Sequence, residues 1–210
     1  MKILIIGSNG RVGSILVHKL AVQHQVLAGS RNPDRKNNLN NIEQVYVDLQ
    51  NDVDTLVKSM SGVDTVYFVS GSRGKNLLQI DLHGAIKTMQ AAEKANVKRY
   101  IMLSSVFALQ PDRWSESFLS DLTDYNIAKH YADLYLTTQT QLNYTILQPG
   151  ALKDEPGTGK IATHVTNPRS NSIANVVDTL AAILENNSTI GKVILMHDGD
   201  TPIDEALNQL

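Results

Sequence analysis

The stretch "KILIIGSNGRVG" at residues 2–13 constrains the fold more than any other part of the chain. An apolar run is followed by glycines at positions 7, 10 and 13. The run reads as a strand covered on both faces, and the residues beyond it carry a helical pattern. A strand that passes to a helix through spaced glycines turns sharply and leaves bare backbone at the helix start. That start exposes unpaired N–H groups and a partial positive charge, so it attracts an anion. Gly7 is expected to turn the chain off the strand, Gly10 to lie beneath phosphates, and Gly13 to let the helix approach the sheet. Ser8, Asn9 and Arg11 can add hydrogen bonds, and Val12 completes the loop. The pattern in this strand-to-helix context points to a dinucleotide.

Apolar runs recur at 25–29, 44–49, 65–70, 99–104, 144–148 and 192–196. Helical patterns fall between them, at 11–23, 53–60, 77–96, 125–140 and 173–185, with breakers at 33–34 and 61–62. Strand alternating with helix is the signature of a parallel α/β sheet. No repeat or linker divides the 210 residues, so one domain is expected over 1–210. Two stretches look irregular: 107–123, with Pro111 and the single tryptophan Trp114, and 150–172, with Pro156, Gly157, Gly159 and Pro168. Both follow a strand's carboxyl end, where ligands sit on open α/β sheets. They are the expected walls of a substrate pocket, with a small substrate-binding portion at about 150–210. Trp114 either covers a planar substrate or fills a satellite core.

Composition narrows the function classes. The chain has no cysteine, which excludes disulfides, thiolate metal sites and thiol nucleophiles and suits a reducing compartment. A net charge of −2 gives no nucleic-acid footprint. The apolar run after Met1 stops at Gly7, short of the ~7–15 residues of a signal core. Nothing approaches the ~20 apolar residues of a membrane span. A cytoplasmic protein without membrane contact is expected. The six histidines show no metal-ligand spacing, so no metal site is expected. His130 is expected on a helix surface, and Asp121 and Asp124 at a helix start.

The end of the second strand bears on the cofactor. Sites that prefer NAD usually place an acid there for the ribose diol. Here the chain reads "VLAGSRNPDR", with Ala28, Gly29 and Ser30 in that region and Arg31 next. An arginine can pair with a 2′-phosphate through its fork of donors. Arg35 is placed to assist. NADP(H) is therefore favoured over NAD(H).

Six segments occur in an informative order: "GSNGRVG" (7–13), "SRNP" (30–33), "VDL" (47–49), "KANVKRYIMLSS" (94–105), "YNIAK" (125–129) and "YTILQPG" (144–150). Together they resemble the atypical short-chain dehydrogenase/reductases, in particular the single-domain NmrA-like and biliverdin/flavin reductase-like proteins. The resemblance implies a Rossmann-like, doubly wound, mainly parallel sheet in the order 3-2-1-4-5-6-7 with helices on both faces. It places Asp48 and Leu49 beside the adenine. Val69, Ser70 and Gly71 would flank the adenosine ribose and phosphates. Leu103, Ser104 and Ser105 would lie near the nicotinamide ribose, and Gln148, Pro149 and Gly150 near the carboxamide.

The resemblance also implies a chemistry. Tyr125 and Lys129 are four apart on a predicted helix and share a face. In the wider family such a tyrosine exchanges a proton with the substrate oxygen while hydride passes to or from the nicotinamide. A free phenol has a pKa near ~10, and a neighbouring ammonium favours its phenolate. The lysine also holds ribose hydroxyls, and Ser105 matches the hydroxyl that orients the substrate carbonyl. Tyr125, Lys129, Ala132 and Leu136 form one stripe, and Ala128, Tyr131 and Tyr135 a neighbouring one. The leading expectation is an NADPH-dependent reductase of a carbonyl, flavin or related planar small molecule. Two alternatives stay open. One is a redox sensor that binds NADP(H) without turnover and reports to a protein partner. The other is an isomerase or epimerase that uses the nicotinamide transiently.

Overall fold

The first strand, β1 (Lys2–Ile6), is buried along its apolar length and divides its side chains between two cores. Ile3 and Ile5 point into one hydrophobic cluster, Leu4 and Ile6 into the other. This is the period-2 geometry of a strand covered on both faces. The computed structural model describes residues 1–33 and 41–210.

The other strands are β2 (Gln25–Ser30), β3 (Ile42–Tyr46), β4 (Thr65–Phe68), β5 (Arg99–Leu103), β6 (Tyr144–Pro149), β7 (Ala151–Lys153), β8 (Lys160–Ala162), β9 (Ser170–Ser172), β10 (Lys192–Asp198) and β11 (Thr201–Pro202). The helices are α1 (Arg11–Leu20), α2 (Val53–Ser59), α3 (His83–Lys94), α4 (Thr123–Gln139), α5 (Ile173–Glu185) and α6 (Ile203–Asn208). The main sheet runs β11-β8-β10-β6-β5-β4-β1-β2-β3. From β3 to β10 all pairings are parallel, and that part is the expected order 3-2-1-4-5-6-7. Antiparallel β8 and β11 extend it beyond β10. Leu16 of α1 and Val176, Leu180 and Ile183 of α5 fill one core; Leu56 of α2, Met89 of α3 and Leu136 of α4 fill the other. The fold is a doubly wound α/β fold of the Rossmann type.

Four local expectations need correction. The strand expected at 44–49 is shifted to β3, an edge strand that pairs only with β2. Val47 and Leu49 are still buried, because the chain stays against the core after it leaves the sheet. Apolarity there continues beyond the hydrogen-bonded ladder. The single helix expected at 77–96 begins as a π-helical turn, Leu77–Leu82, before α3. The stretch 150–172, expected to be irregular, contains β7, β8 and β9, with β7 and β9 forming their own parallel pair. Strands of three residues are too short to show a period. Finally, β11 and α6 form after the last expected strand.

Candidate functional site

The turn after β1 is built as its glycines require. Gly7 has φ +98°, a conformation that side chains rarely adopt, and its N–H donates to the Gly29 carbonyl at 3.1 Å. A Cβ on Gly13 would fall on the Gly7 carbonyl oxygen, so glycine alone lets α1 pack this close. Gly10 N-caps α1 without a side-chain hydrogen bond. The amides of the first turn therefore have no side-chain partner. Gly10, Arg11 and Val12 form one wall of a cleft of about 510 Å³.

Segments at the carboxyl ends of several parallel strands complete the cleft. Val69, Ser70 and Gly71 follow β4; Leu103, Ser104 and Ser105 lie at the end of β5; Pro149 and Gly150 lie at the end of β6. Tyr125 and Lys129 enter from α4. Thirteen of the expected site residues thus share one cavity, among them the Ser105, Tyr125 and Lys129 set.

The remaining expected residues do not line it. Ser8 is buried, and its hydroxyl donates to the Gly29 carbonyl at 3.0 Å. Asn9 ties the loop to the end of β2 through the Asn32 carbonyl, at 3.3 Å. Gly7 and Gly13 shape the turn from behind. Arg31 is exposed just beyond β2, and Asp34 and Arg35 lie outside the described residues. The Asp48 carboxylate accepts from the Gln50 N–H at 2.9 Å, which closes a turn. Leu49 is core, wedged where a Cβ on Gly84 would meet it at 2.9 Å. Gln148 faces inward, away from the cleft, toward α4.

Lys129 is only 3% exposed. Its ammonium reaches the Leu103 carbonyl at 3.5 Å, a long bond for a charged donor, and lies 5.7 Å from the centre of the Tyr125 ring. A buried ammonium has three donors to satisfy. The spare capacity of Lys129 faces the cleft.

Several contributors were not anticipated. Asp133, fully buried one turn beyond Lys129, accepts from the Ser104 hydroxyl at 2.7 Å and from the Gln148 amide at 2.8 Å. Burial pushes its carboxyl up to about 6, against the pull of those two bonds and of the Lys129 ammonium. The signal was in the four-residue spacing of Tyr125, Lys129 and Asp133. The stripe read instead through Ala132 and Leu136, which go to the core. Asp81, in the π-helical turn, lines the cleft and accepts from the Ser72 N–H at 3.0 Å. Phe118 and Leu122 give the cleft an apolar wall from the 107–123 stretch.

Trp114 is not among the lining residues. Its indole N–H donates to the Phe107 carbonyl at 3.0 Å, and its ring meets His130 edge-on at 5.5 Å. His130 is half-buried rather than on the surface, with Nδ1 at 2.9 Å from the Ala108 carbonyl. Asp124 lies in the first turn of α4, whereas Asp121 belongs to the 3₁₀ turn before it, and neither caps the helix. Arg11 reaches over the cleft mouth to Asp154, at 2.8 Å.

The sequence profile of the NAD(P)H-binding family matches residues 7–187. The chain belongs to that family. Over 219 aligned residues it is 35% identical to YhfK of Bacillus subtilis, described as an uncharacterized sugar epimerase, with 100% of both chains covered. It is 30% identical to the UPF0659 protein YMR090W of Saccharomyces cerevisiae, covering 100% of this chain and 99% of that one. Among solved structures, the oxidoreductase ylbE from Lactococcus lactis superimposes with a TM-score of 0.96 at 48% identity, over 100% of this chain and 96% of that one. Family and fold are therefore those of NAD(P)H-binding proteins of the Rossmann type, and the family's cofactor is an NAD(P).

The residues present fit such a cofactor. Around the place where a Cβ of Gly10 would stand, only the Gly7 carbonyl comes near, at 3.1 Å, which leaves its outer side open to the cleft. A diphosphate against the first amides of α1 and a ribose hydroxyl on Lys129 would use donors that the fold leaves spare. Among the described residues, no helix is long and apolar enough to cross a membrane, and no group of side chains is suited to a metal ion.

Proposed function

We propose that this protein is an NADP(H)-dependent reductase acting on a carbonyl, a flavin or a related planar small molecule. The observation that carries the reading is the buried Lys129 ammonium, poorly paired within the fold, beside Tyr125 in the cleft that the glycine loop opens. When bound, the nicotinamide supplies the hydride. Lys129 holds the ribose hydroxyls and keeps a positive charge near the Tyr125 phenol. Tyr125 donates a proton to the acceptor oxygen as the hydride arrives, and Ser105 orients that oxygen. Phe118 and Leu122 cover the acceptor's apolar face. The substrate-binding part is formed by 107–123 and about 150–210 within one domain. The choice of NADP(H) rests on the missing acid at the end of β2 and on the exposed Arg31 there.

Two assays test this. Titration with NADPH and NADH should show tighter binding of NADPH, and equal affinities would remove the preference. NADPH oxidation with a panel of quinones, flavins and aldehydes should give turnover, which Tyr125→Phe should lower at least ~10²-fold. Unchanged turnover would take the proton away from Tyr125. Tight binding without turnover on any acceptor would favour the sensor.

The name of the Bacillus subtilis relative favours a second reading, epimerisation of a sugar with the nicotinamide oxidised and reduced within one cycle. It predicts bound cofactor, inversion at a sugar carbon and no net NADPH consumption.

A further inference from the structure

Three side chains from three elements meet beneath the cleft. Asp133 comes from α4, Ser104 from the end of β5 and Gln148 from β6. Both bonds go to the same carboxylate oxygen, Oδ2. The other oxygen, Oδ1, is buried with no hydrogen-bond partner among the described residues. A half-satisfied buried carboxylate is costly, and a fold retains it where the anion has work to do.

The charged surroundings are simple. Lys129, one turn before on the same helix, is the charge that acts on Asp133. The strands offer only the neutral Ser104 and Gln148. From α3, Gln90 faces Tyr135, and Asp81 of the π-helical turn is engaged with the Ser72 N–H.

Resting on the cleft as the dinucleotide site, we propose that Asp133 is a positioning residue for the cofactor. As an anion it locks the Ser104 hydroxyl and the Gln148 amide and supplies the counter-charge for the Lys129 ammonium, so cofactor affinity follows its ionisation. Protonation on the free Oδ1 leaves Oδ2 a neutral carbonyl oxygen, a weaker acceptor for both bonds. The new O–H on Oδ1 has no acceptor beside it among the described residues. Ser104 borders the cleft, so a weaker hold on its hydroxyl loosens the wall that faces the cofactor. Loss of the anion also makes it costlier to keep Lys129 charged in a buried site. With the carboxyl pushed up to about 6, the change falls just below neutral pH.

Calorimetric titration of NADP⁺ into wild type and Asp133→Asn between pH 5 and 8 tests the proposal. Asparagine keeps the shape and removes the charge. Wild type should bind at least about tenfold more tightly at pH 8, a typical coupling, with the gap closing to about twofold at pH 5. The cofactor's own phosphate titration is common to both proteins and cancels. A gap that is constant with pH, or no gap, overturns the proposal and leaves Asp133 a structural residue. If neither protein binds NADP⁺ at any pH, the cleft reading falls as well. Should the variant not fold, NMR of the wild-type Asp133 carboxyl carbon decides. Saturating NADP⁺ should move its midpoint to lower pH, because a ligand that prefers the anion weakens proton binding. An unmoved midpoint overturns the proposal.

Discussion

Two buried cations bracket strand β5, and the fold treats them differently. At its start, Arg99 is 8% exposed and spreads its fork over the Asn143 carbonyl at 2.8 Å, Thr145 Oγ1 at 2.5 Å and Thr189 Oγ1 at 3.0 Å. Burial pushes its guanidinium down to about 10, which leaves it charged at neutral pH. At the other end of the strand, Lys129 has the Leu103 carbonyl at 3.5 Å, and nearby Asp133 keeps an oxygen with no partner. Arg99 needs no ligand to complete its bonding. Lys129 does. The amino end of β5 holds a fully bonded charge, and its carboxyl end holds charges whose bonding within the described residues is incomplete.

The contrast can be broken by experiment. Arg99→Ala would leave three acceptors without their donor and open a cavity. It should lower unfolding free energy by about 4 kcal/mol in urea, with NADP⁺ affinity unchanged in whatever protein remains folded. A stable variant that has lost the cofactor would reverse the assignment.

Asp133 gives the next effect. Burial pushes its carboxyl up to about 6 in the folded protein, from the ordinary 3.8. Between these values the folded chain keeps a proton that the unfolded chain has released. This contribution to stability is therefore full below pH 4 and is lost as pH rises through 6. At about 1.4 kcal/mol per pH unit, it amounts to roughly 3 kcal/mol. Denaturation of wild type and Asp133→Asn should show the variant gaining relative stability from pH 4 to 7. A parallel pair of curves would mean that Asp133 does not titrate there.

The smallest of the three effects separates the cations most sharply. At pH 5, where Asp133 is mostly protonated and loses no counter-charge, Lys129→Met should change stability by less than about 1 kcal/mol, since an apolar side chain can replace a poorly paired buried charge. The same change should weaken NADP⁺ by about 10- to 100-fold, the worth of a charged hydrogen bond. Loss of stability with intact binding would make Lys129 a second Arg99.

These differences also mark what could be read along the chain. Strand positions were legible because buried parallel strands are continuous apolar runs, as Ile3, Leu4, Ile5 and Ile6 show, whereas their order in the sheet came from the family resemblance. The glycine turn was legible because backbone geometry restricts residue type at Gly7 and Gly13. Ser105, Tyr125 and Lys129 could be brought together because each sits at a fixed place relative to β5 and α4. Asp133 was missed for a physical reason. An aspartate on a helix reads as solvated, and only the folded chain carries it beneath Ser104 and Gln148. Leu49 and Gln148 show the converse. Gln148 lies at the end of β6 and Leu49 just beyond β3, where ligands border such sheets, yet Leu49 enters the core and Gln148 turns to Asp133. Position along a strand is local, whereas the direction a side chain faces depends on what packs against it.

The central claim is that this cleft holds a dinucleotide, with its diphosphate on the first amides of α1 and its ribose on Lys129. A crystal structure with saturating NADP⁺ tests it most directly. Diphosphate density should lie against the Gly10, Arg11 and Val12 backbone, and a ribose hydroxyl within hydrogen-bond distance of Lys129 Nζ. Nucleotide bound elsewhere, or a cleft left empty at saturation, would contradict it.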